Sequence, residues 1–487
     1  MIKELYQVLT GIEGKVVGKL PAQITDITIN SKKVIPGSLF VAIRGNKEDG
    51  HYYAAEAMQN GASVLVVETA QPEIPLPQII VHDTKVAVSH IAANYFEHPT
   101  SKLKVIGVTG TNGKTTTVYL LNQILKSAGI KRGTIGTLGY SLEDERTPSN
   151  LTTPDCIQLQ QIFYEMVKSN FEVAVMEVSS HALALQRVAD VNFYAGVFTN
   201  ISQDHLDFHK TLENYARTKA QLFAMVNLAG FLVLNTEDEF SRLFSEAART
   251  RILTYALRRS ADYRWAPGVS YQNGIRGRVL TPDGEISVES SLSGDYNLKN
   301  ILAAVAVAQN LGISAPTISA GIAQVENIPG RLQEVAQPGK ARVFVDYAHT
   351  PDAIRNVLKT LQAIKQTDGR LIVIFGCGGN RDRSKRPIMA QAVASYADLA
   401  IITTDNPRFE KPEAIIEEAL TGFPAGFNYQ VIVDREKAIQ EALRMAHPAD
   451  IVAILGKGHE TYQEIQGQRY PFSDSKVVRK FWKRNDA

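Results

Sequence analysis

Thr109-Gly110-Thr111-Asn112-Gly113-Lys114-Thr115-Thr116 sets two glycines, a lysine and several hydroxyls between an apolar run, LKVIGV, and a stretch of helical spacing, TTTVYLLNQILKSAG. A strand, glycine-rich turn and helix in that order point backbone N–H groups at an anion, and the helix dipole adds to the attraction. Lys114 would then meet the β and γ phosphates of a nucleotide, and the Thr115 hydroxyl would hold Mg²⁺. The loop departs from the common phosphate-binding pattern of Gly, four residues, then Gly-Lys-Ser/Thr. Five positions before Gly113 stands Val108. A structural turn ahead of a helix is the plain alternative, and the loop alone names no reaction.

Two further stretches could hold a metal: MEVSSHAL at 176–183 and TNISQDHLDFH at 199–209. Glu177 and His181 follow an apolar strand, while His205 and His209 are spaced i,i+4, which puts them on one face of a helix. A zinc hydrolase needs Glu directly after the first of two such histidines, and Leu206 stands there. The rival reading is a hard cation held by Glu177, one histidine and Thr115 beside a nucleotide γ-phosphate. A lone histidine is more often a hydrogen-bonded core residue. The grouping near a nucleotide loop favours Glu177 and His205, less clearly His181, and leaves His209 structural.

These residues need elements to place them. At 487 residues the chain exceeds the roughly 250 to 300 that one core supports. The first 100 residues alternate short apolar runs (SLFVAI, ASVLVVE, QIIVH) with helical stretches, giving a small α/β domain, 1–100, with a boundary near Pro99 and Thr100. A central nucleotide-binding domain follows, 101–329, with strands at LKVIGVTG, EVAVMEVSS and AGVFTN. The last domain, 330–487, alternates strand and helix throughout, which implies an α/β, doubly wound parallel sheet of Rossmann-like kind with ligand sites at the carboxyl ends of its strands. YAHTPD, GCGGNRD, TDNPR and GKGHE all fall at such ends.

Composition excludes several classes. Basic and acidic side chains, 52 against 50, leave a net charge of only +2, so nothing global suggests nucleic acid. Cys156 and Cys377 are too few for a disulfide framework, which fits a reducing cytosol. The start, MIKELYQVLTG, lacks the features of a signal peptide. The longest apolar stretch, Ile301 to Ile313, falls short of the roughly 20 residues a membrane span needs. The expectation is a cytoplasmic protein without membrane insertion.

TGTNGKTT, NLTTPD, MEVSSHAL, TNISQDHLD, YARTK, GDYNLKN, Gly330-Arg331, VDYAHTPD and GKGHE together resemble the Mur ligases, ATP-dependent amide-forming enzymes, from about residue 30 nearly to the end. TGTNGKT is the loop version that this family uses. The resemblance implies a central P-loop-type ATPase domain and a reaction in which ATP phosphorylates a carboxylate and an amine attacks the acyl phosphate. The protein's part is then mostly positioning and charge neutralisation. It also implies that Lys114 steadies the γ-phosphate, that Thr115 and Glu177 hold one Mg²⁺, and that His205 contributes to a second. Lys219, in YARTK, matches a lysine that the family carbamylates to N6-carboxylysine, an anionic oxygen ligand where an ammonium would repel Mg²⁺. Asn297 and Asn300 would lie near the adenine, although GDYNLKN reads equally as a helix start followed by a core face. Arg331, Asp346 and His349 would close over the phosphates.

Within the family, the likeness is to the member that adds the third residue of the peptidoglycan stem peptide. The implied partners are UDP-MurNAc-L-Ala-D-Glu, meso-diaminopimelate and ATP, bound by a monomer. INSKKVIPGSLFVAIRGN resembles the segment that grips the nucleotide sugar, with Ser31 as its matching residue; Thr152, Thr153, Ser179 and Arg187 match positions for the rest of that substrate. No role is attached to Asp155. For the amine, Asp405, Asn406, Pro407 and Arg408 stand at a strand end. The extra carboxylate of meso-diaminopimelate would pair bidentately with the Arg408 fork, and lysine would leave that cation unmatched, worth about 10⁴ or more in discrimination. Arg381, Gly456 and Glu460 match the other amino-acid contacts. A lysine-adding or folate-elongating ligase, or an ATP-hydrolysing regulatory protein without ligation, are the alternatives.

Overall fold

The computed structural model describes residues 1–45, 48–149, 151–270 and 274–485, and shows an α/β chain organised around three large sheets. Asn46, at the end of the N-terminal motif, and Asn150, at the start of NLTTPD, lie outside the described residues. The first sheet has five strands in the order Lys15–Val17, Gln78–Ile80, Ala62–Val67, Ser38–Val41 and Ile27–Thr28. Its apolar face packs on helix Thr84–Tyr95. Cys156, Ile157 and Tyr164 of helix Cys156–Lys168 join the same cluster, so this unit and the next share apolar contacts. Asp155 caps that helix by accepting from the Gln158 amide, which gives it a structural purpose.

The second sheet has eight strands, and at its centre are β1 (Lys104–Thr109), β2 (Val173–Glu177) and β3 (Phe193–Phe198). β1 lies between the other two, parallel to both. Their nearly unbroken apolar sequences follow from burial on both faces. One face is covered by α1 (Lys114–Ser127) and α3 (Asp295–Asn310), the other by α2 (Leu212–Met225) and helix Cys156–Lys168. The Ile301 to Ile313 stretch is therefore a buried core helix and its exit. Among the described residues no helix is long and apolar enough to cross a membrane. A three-stranded antiparallel sheet, Arg264–Trp265 with Ile275–Thr281 and Gly284–Ser290, packs beyond α3.

The third sheet runs Gln333–Val335, β4 (Arg342–Asp346), β7 (Ile451–Leu455), β5 (Leu371–Phe375), β6 (Leu399–Ile402) and Tyr429–Val431. All are parallel except the first, which is an antiparallel edge. Helices α4 (Pro351–Ile364) and α5 (Lys385–Ala394) pack on one face; helix Arg435–Met445 and α6 (Asp474–Asn485) pack on the other. This is the doubly wound arrangement expected of alternating strands and helices. A hairpin, β8 (Tyr462–Ile465) with β9 (Gln468–Pro471), interrupts the alternation after β7.

Candidate functional site

The carboxyl ends of β1 and β2 face those of β4, β5, β6 and β7 across one cleft of about 490 Å³. Every residue singled out for the ATP, metal, nucleotide-sugar and amino-acid sites lines it except Gly110, Ser31 and Pro407. Gly110 sits just behind, its carbonyl turned to two lysines. Pro407 shapes the turn, with its carbonyl accepting from the Glu410 amide at 3.0 Å. Ser31 is buried in the N-terminal unit, where it donates to Glu56 Oε2 at 2.5 Å.

The phosphate loop closes tightly on its surroundings. Gly113 takes φ +88° immediately before α1, and a Cβ there would lie 2.4 Å from Asn300 Oδ1. Only glycine tolerates both conditions. Asn300 is held in turn, donating to Asn297 Oδ1 at 3.0 Å while Asn297 donates to the Ser293 carbonyl at 2.8 Å. The two asparagines thus line the cleft and also order the start of α3. Lys114 Nζ donates to the Gly110 and Thr111 carbonyls, both at 2.8 Å. Burial lowers the Lys114 pKa; Glu177 opposes that shift and Arg331 adds to it.

Glu177, at the end of β2, is fixed by three bonds. Oε1 accepts from Thr115 Oγ1 at 2.9 Å and the Thr137 amide at 2.8 Å, and Oε2 from Thr137 Oγ1 at 3.0 Å. Arg331 Nη2 reaches across from the third domain to Thr115 Oγ1 at 2.9 Å. Thr115, in the first turn of α1, and Glu177, at the end of β2, are hard oxygen donors, and such donors suit Mg²⁺. Among the described residues no three His, Cys, Asp or Glu side chains cluster closely enough to hold a metal by themselves. A divalent cation here would need oxygens from the nucleotide or from a modified side chain.

Lys219, on α2, is fully buried and donates to the Gly110 carbonyl at 2.9 Å. Burial, with Lys114 nearby, holds its amine well below the usual lysine range. A neutral amine is the form that reacts with CO₂. Its chemistry therefore fits the expected carbamate, and its setting is not that of a surface lysine.

His205 takes a left-handed backbone, φ +56°, ahead of the single helical turn Leu206–His209. Its ring stands edge-on to His181 at 4.8 Å, and burial lowers its pKa to about 3. His209 does not line the cleft and shares a 2.9 Å hydrogen bond with Ser180 Oγ, as a structural histidine would. Asp204, which the sequence reading passed over, is the buried acid beside His205. It accepts from Lys385 Nζ at 3.1 Å, with His205 Nε2 at 3.4 Å and His349 Nε2 at 3.7 Å. Burial alone would raise its pKa, but these three neighbours hold it well below the carboxylate range. Lys385, on α5, carries no signal of its own in the sequence, four residues after Arg381.

More side chains cross the same seam. Asn112 Nδ2 donates to Asp352 at 3.0 Å, and Gln203 donates to Asp382 and Ser384 at 3.2 and 3.1 Å. Asp346, raised by burial, accepts from the Leu332 and Ala348 amides. Thr153 and Ser179 bond each other at 3.2 Å, and Arg187 donates to the Thr153 carbonyl at 3.2 Å, building one wall of the cleft.

At the tip of β6, Arg408 adopts φ +52° and joins the β8 hairpin: its amide donates to the Glu464 carbonyl at 3.1 Å, and its carbonyl accepts from the Gln466 amide at 2.7 Å. The guanidinium is partly committed. Nη1 donates to the Gly379 carbonyl at 2.7 Å and Nε to Glu464 Oε2 at 3.2 Å, leaving Nη2 without a protein partner among the described residues. Two of its five N–H donors are thus spent, one on the hairpin and one on the loop after β5, and three remain on Nη1 and Nη2. Arg381 supplies a second cation. A Cβ on Gly378 would lie 3.2 Å from Arg408 Nη1 and 3.7 Å from Arg381 Cγ, so both arginines flank that glycine. Burial and Arg408 depress the Arg381 pKa, a repulsion that an anion placed beside the pair would relieve.

Comparison with known proteins agrees with this layout. Residues 23–100 match "Mur ligase family, catalytic domain", 108–308 match "Mur ligase middle domain", and 330–458 match "Mur ligase, glutamate ligase domain". A UDP-N-acetylmuramoyl-L-alanyl-D-glutamate–2,6-diaminopimelate ligase of Aquifex aeolicus (strain VF5) is 44% identical over 460 residues, 94% of this chain and 93% of that one. A solved structure carrying the same ligase name is 34% identical with a TM-score of 0.66, covering 95% and 96% of the two chains. The MurF ligase of Thermotoga maritima in complex with ADP, 20% identical, shares the fold at a TM-score of 0.63 over 95% and 98%.

Proposed function

The chain belongs to the Mur ligase family, and from that premise we propose that it joins meso-2,6-diaminopimelate to the D-Glu carboxylate of UDP-N-acetylmuramoyl-L-Ala-D-Glu, driven by ATP, in peptidoglycan synthesis. One observation carries the reading: the phosphate loop, the buried Lys219 and the Arg381–Arg408 pair all open onto a single cleft. We take the domains as 1–100, 101–329 and 330–487, acting as a monomer in the cytoplasm.

Each residue then has a task. The loop amides of 110–116 and Lys114 bind the triphosphate, and Asn297 and Asn300 border the adenine. Thr115, Glu177, His205 and a carbamylated Lys219 would hold Mg²⁺, which supplies charge neutralisation on the phosphoryl oxygens. Thr152, Thr153, Ser179 and Arg187 orient the dipeptide end of the nucleotide sugar, with Ser31 in the N-terminal domain serving its uridine end. The D-Glu carboxylate attacks the γ-phosphorus, ADP leaves, and the amine displaces phosphate from the acyl phosphate through a tetrahedral intermediate. Arg331, Asp346 and His349 bring the third domain over the nucleotide and keep water away from the mixed anhydride. Asp405, Asn406, Gly456 and Glu460 hold the amino acid, Pro407 stiffens its turn, and Arg381 and Arg408 take its distal carboxylate.

The decisive assay measures phosphate release with the nucleotide dipeptide, ATP and Mg²⁺ against a panel of amino acids. Release should require both the dipeptide and diaminopimelate. Equal turnover with lysine or glutamate would overturn the amine assignment, and release that needs neither cosubstrate would overturn ligation itself.

A further inference from the structure

One buried cation behind the amino-acid half of the cleft has no part in the scheme above. Lys457, between Gly456 and Gly458 at the end of β7, is fully buried and does not line the cleft. Its Nζ donates to Glu460 Oε2 at 2.7 Å and to Asn406 Oδ1 at 2.9 Å, and it lies 5.6 Å from the centre of the Tyr462 ring. Asn406 closes the triangle, donating from Nδ2 to the same Glu460 Oε2 at 2.9 Å, while its Oδ1 also accepts from the Glu464 amide at 2.9 Å. The turn after β6, the loop after β7 and the β8 strand therefore meet on one ammonium.

We propose that Lys457 is a positioning and specificity-determining residue for the incoming amino acid, acting through Glu460 and Asn406; the inference rests on the ligase reading above. An ammonium withdrawn wholly from water persists only where it is paired and hydrogen-bonded, so the triangle is a built feature. Its effect is directional. Both donors to Glu460 fall on Oε2, and Oε1 accepts no hydrogen bond among the described residues. That oxygen is the one left to receive an ammonium of the ligand. Lys457 also offsets the Glu460 charge, so that Glu460 and Asp405 together do not repel the carboxylates that Arg381 and Arg408 are placed to attract. Without Lys457, Glu460 keeps one neutral donor and is free to turn, and the subsite gains an uncompensated negative charge.

The test is Lys457→Met, which keeps the length of the stem and removes the charge. The KM for diaminopimelate should rise about 10- to 100-fold, the loss expected for charge-assisted bonds, while the KM values for ATP and the nucleotide dipeptide stay within about twofold. Repeated in a Glu460→Gln background, the same change should add less than about threefold, since the partner it acts through is already altered. A parallel rise in all three KM values, or an equal loss in both backgrounds, overturns the proposal and reduces Lys457 to a fold residue. If Lys457→Met does not fold, the double variant, which removes both charges, should fold and melt higher than the single one; a double variant no better than the single overturns the pairing. A wild-type protein that ligates no diamino acid would defeat the ligase reading, whereas an active wild type with an unchanged KM in Lys457→Met defeats this inference alone.

Discussion

Replacing Arg408 with alanine should erode the preference for diaminopimelate over lysine by an amount that the geometry limits. Two of its five guanidinium N–H donors are already bonded, one on Nη1 to the Gly379 carbonyl and that on Nε to Glu464, so the substrate carboxylate meets a cation whose charge Glu464 partly offsets and whose remaining donors are on Nη1 and Nη2. One charge-assisted hydrogen bond is worth about 1.5 to 3 kcal/mol, or about 10- to 150-fold in kcat/KM. A fork with no other partner would supply more, and Arg381, on the other side of Gly378, shares the discrimination. Alanine carries the same Cβ as arginine, so the left-handed backbone at φ +52° is strained equally in both proteins and cancels from the comparison. The assay is phosphate release with each amino acid in turn, at saturating ATP and nucleotide dipeptide. The ratio of kcat/KM for diaminopimelate to that for lysine should fall within that range. A ratio that moves less than about threefold would refute the carboxylate assignment, and a matching rise in the KM for ATP would show that the turn itself had collapsed.

Lys219→Ala should lower kcat by about 100-fold or more, as expected for loss of a group that stabilises developing charge, and native mass spectrometry of the wild type should find one added CO₂ on Lys219. Full activity of the variant together with an unmodified lysine would remove that role. His459 offers a pH test with a defined sign: burial, then Arg331, lowers its pKa from 6.5 to about 4. Between those values the unfolded chain binds a proton that the folded one refuses, so this histidine makes the fold lose stability as pH falls from about 6.5 to about 4. His459→Phe keeps a ring beside Tyr347, 5.3 Å away, and should show a smaller drop in melting temperature between neutral and acid pH; an unchanged drop would contradict the assignment.

The phosphate loop was readable because its signal is local: a strand, two glycines, Lys-Thr and a helix are contiguous, and β1 and α1 appear where those residues demand. The alternating last third likewise announced a doubly wound sheet. Asp204 was not readable. It stands beside His205 in a motif whose histidines carry the metal-ligand pattern, and its importance comes from Lys385 and His349, which only the folded chain brings to it. The β8 hairpin was missed for a related reason. Tyr462 to Pro471 carries mixed polar residues with only Gly467 as a turn signal, yet this hairpin takes up the Nε–H of Arg408 and holds its backbone. Ser31 shows the opposite limit, since its motif was found but its hydroxyl is turned to Glu56 within the N-terminal unit.

The two joints of the molecule are made of different material. Between the first unit and the central one, Cys156, Ile157 and Tyr164 are built into a shared greasy core, so parting them would wet apolar surface. Between the central unit and the third, the named bridges are Asn112 to Asp352, Gln203 to Asp382, Lys385 to Asp204 and Arg331 to Thr115, and each half can trade those partners for solvent. The first two units should therefore travel as one jaw. The last should swing as the other, opening and resealing through every turnover without baring a sticky face.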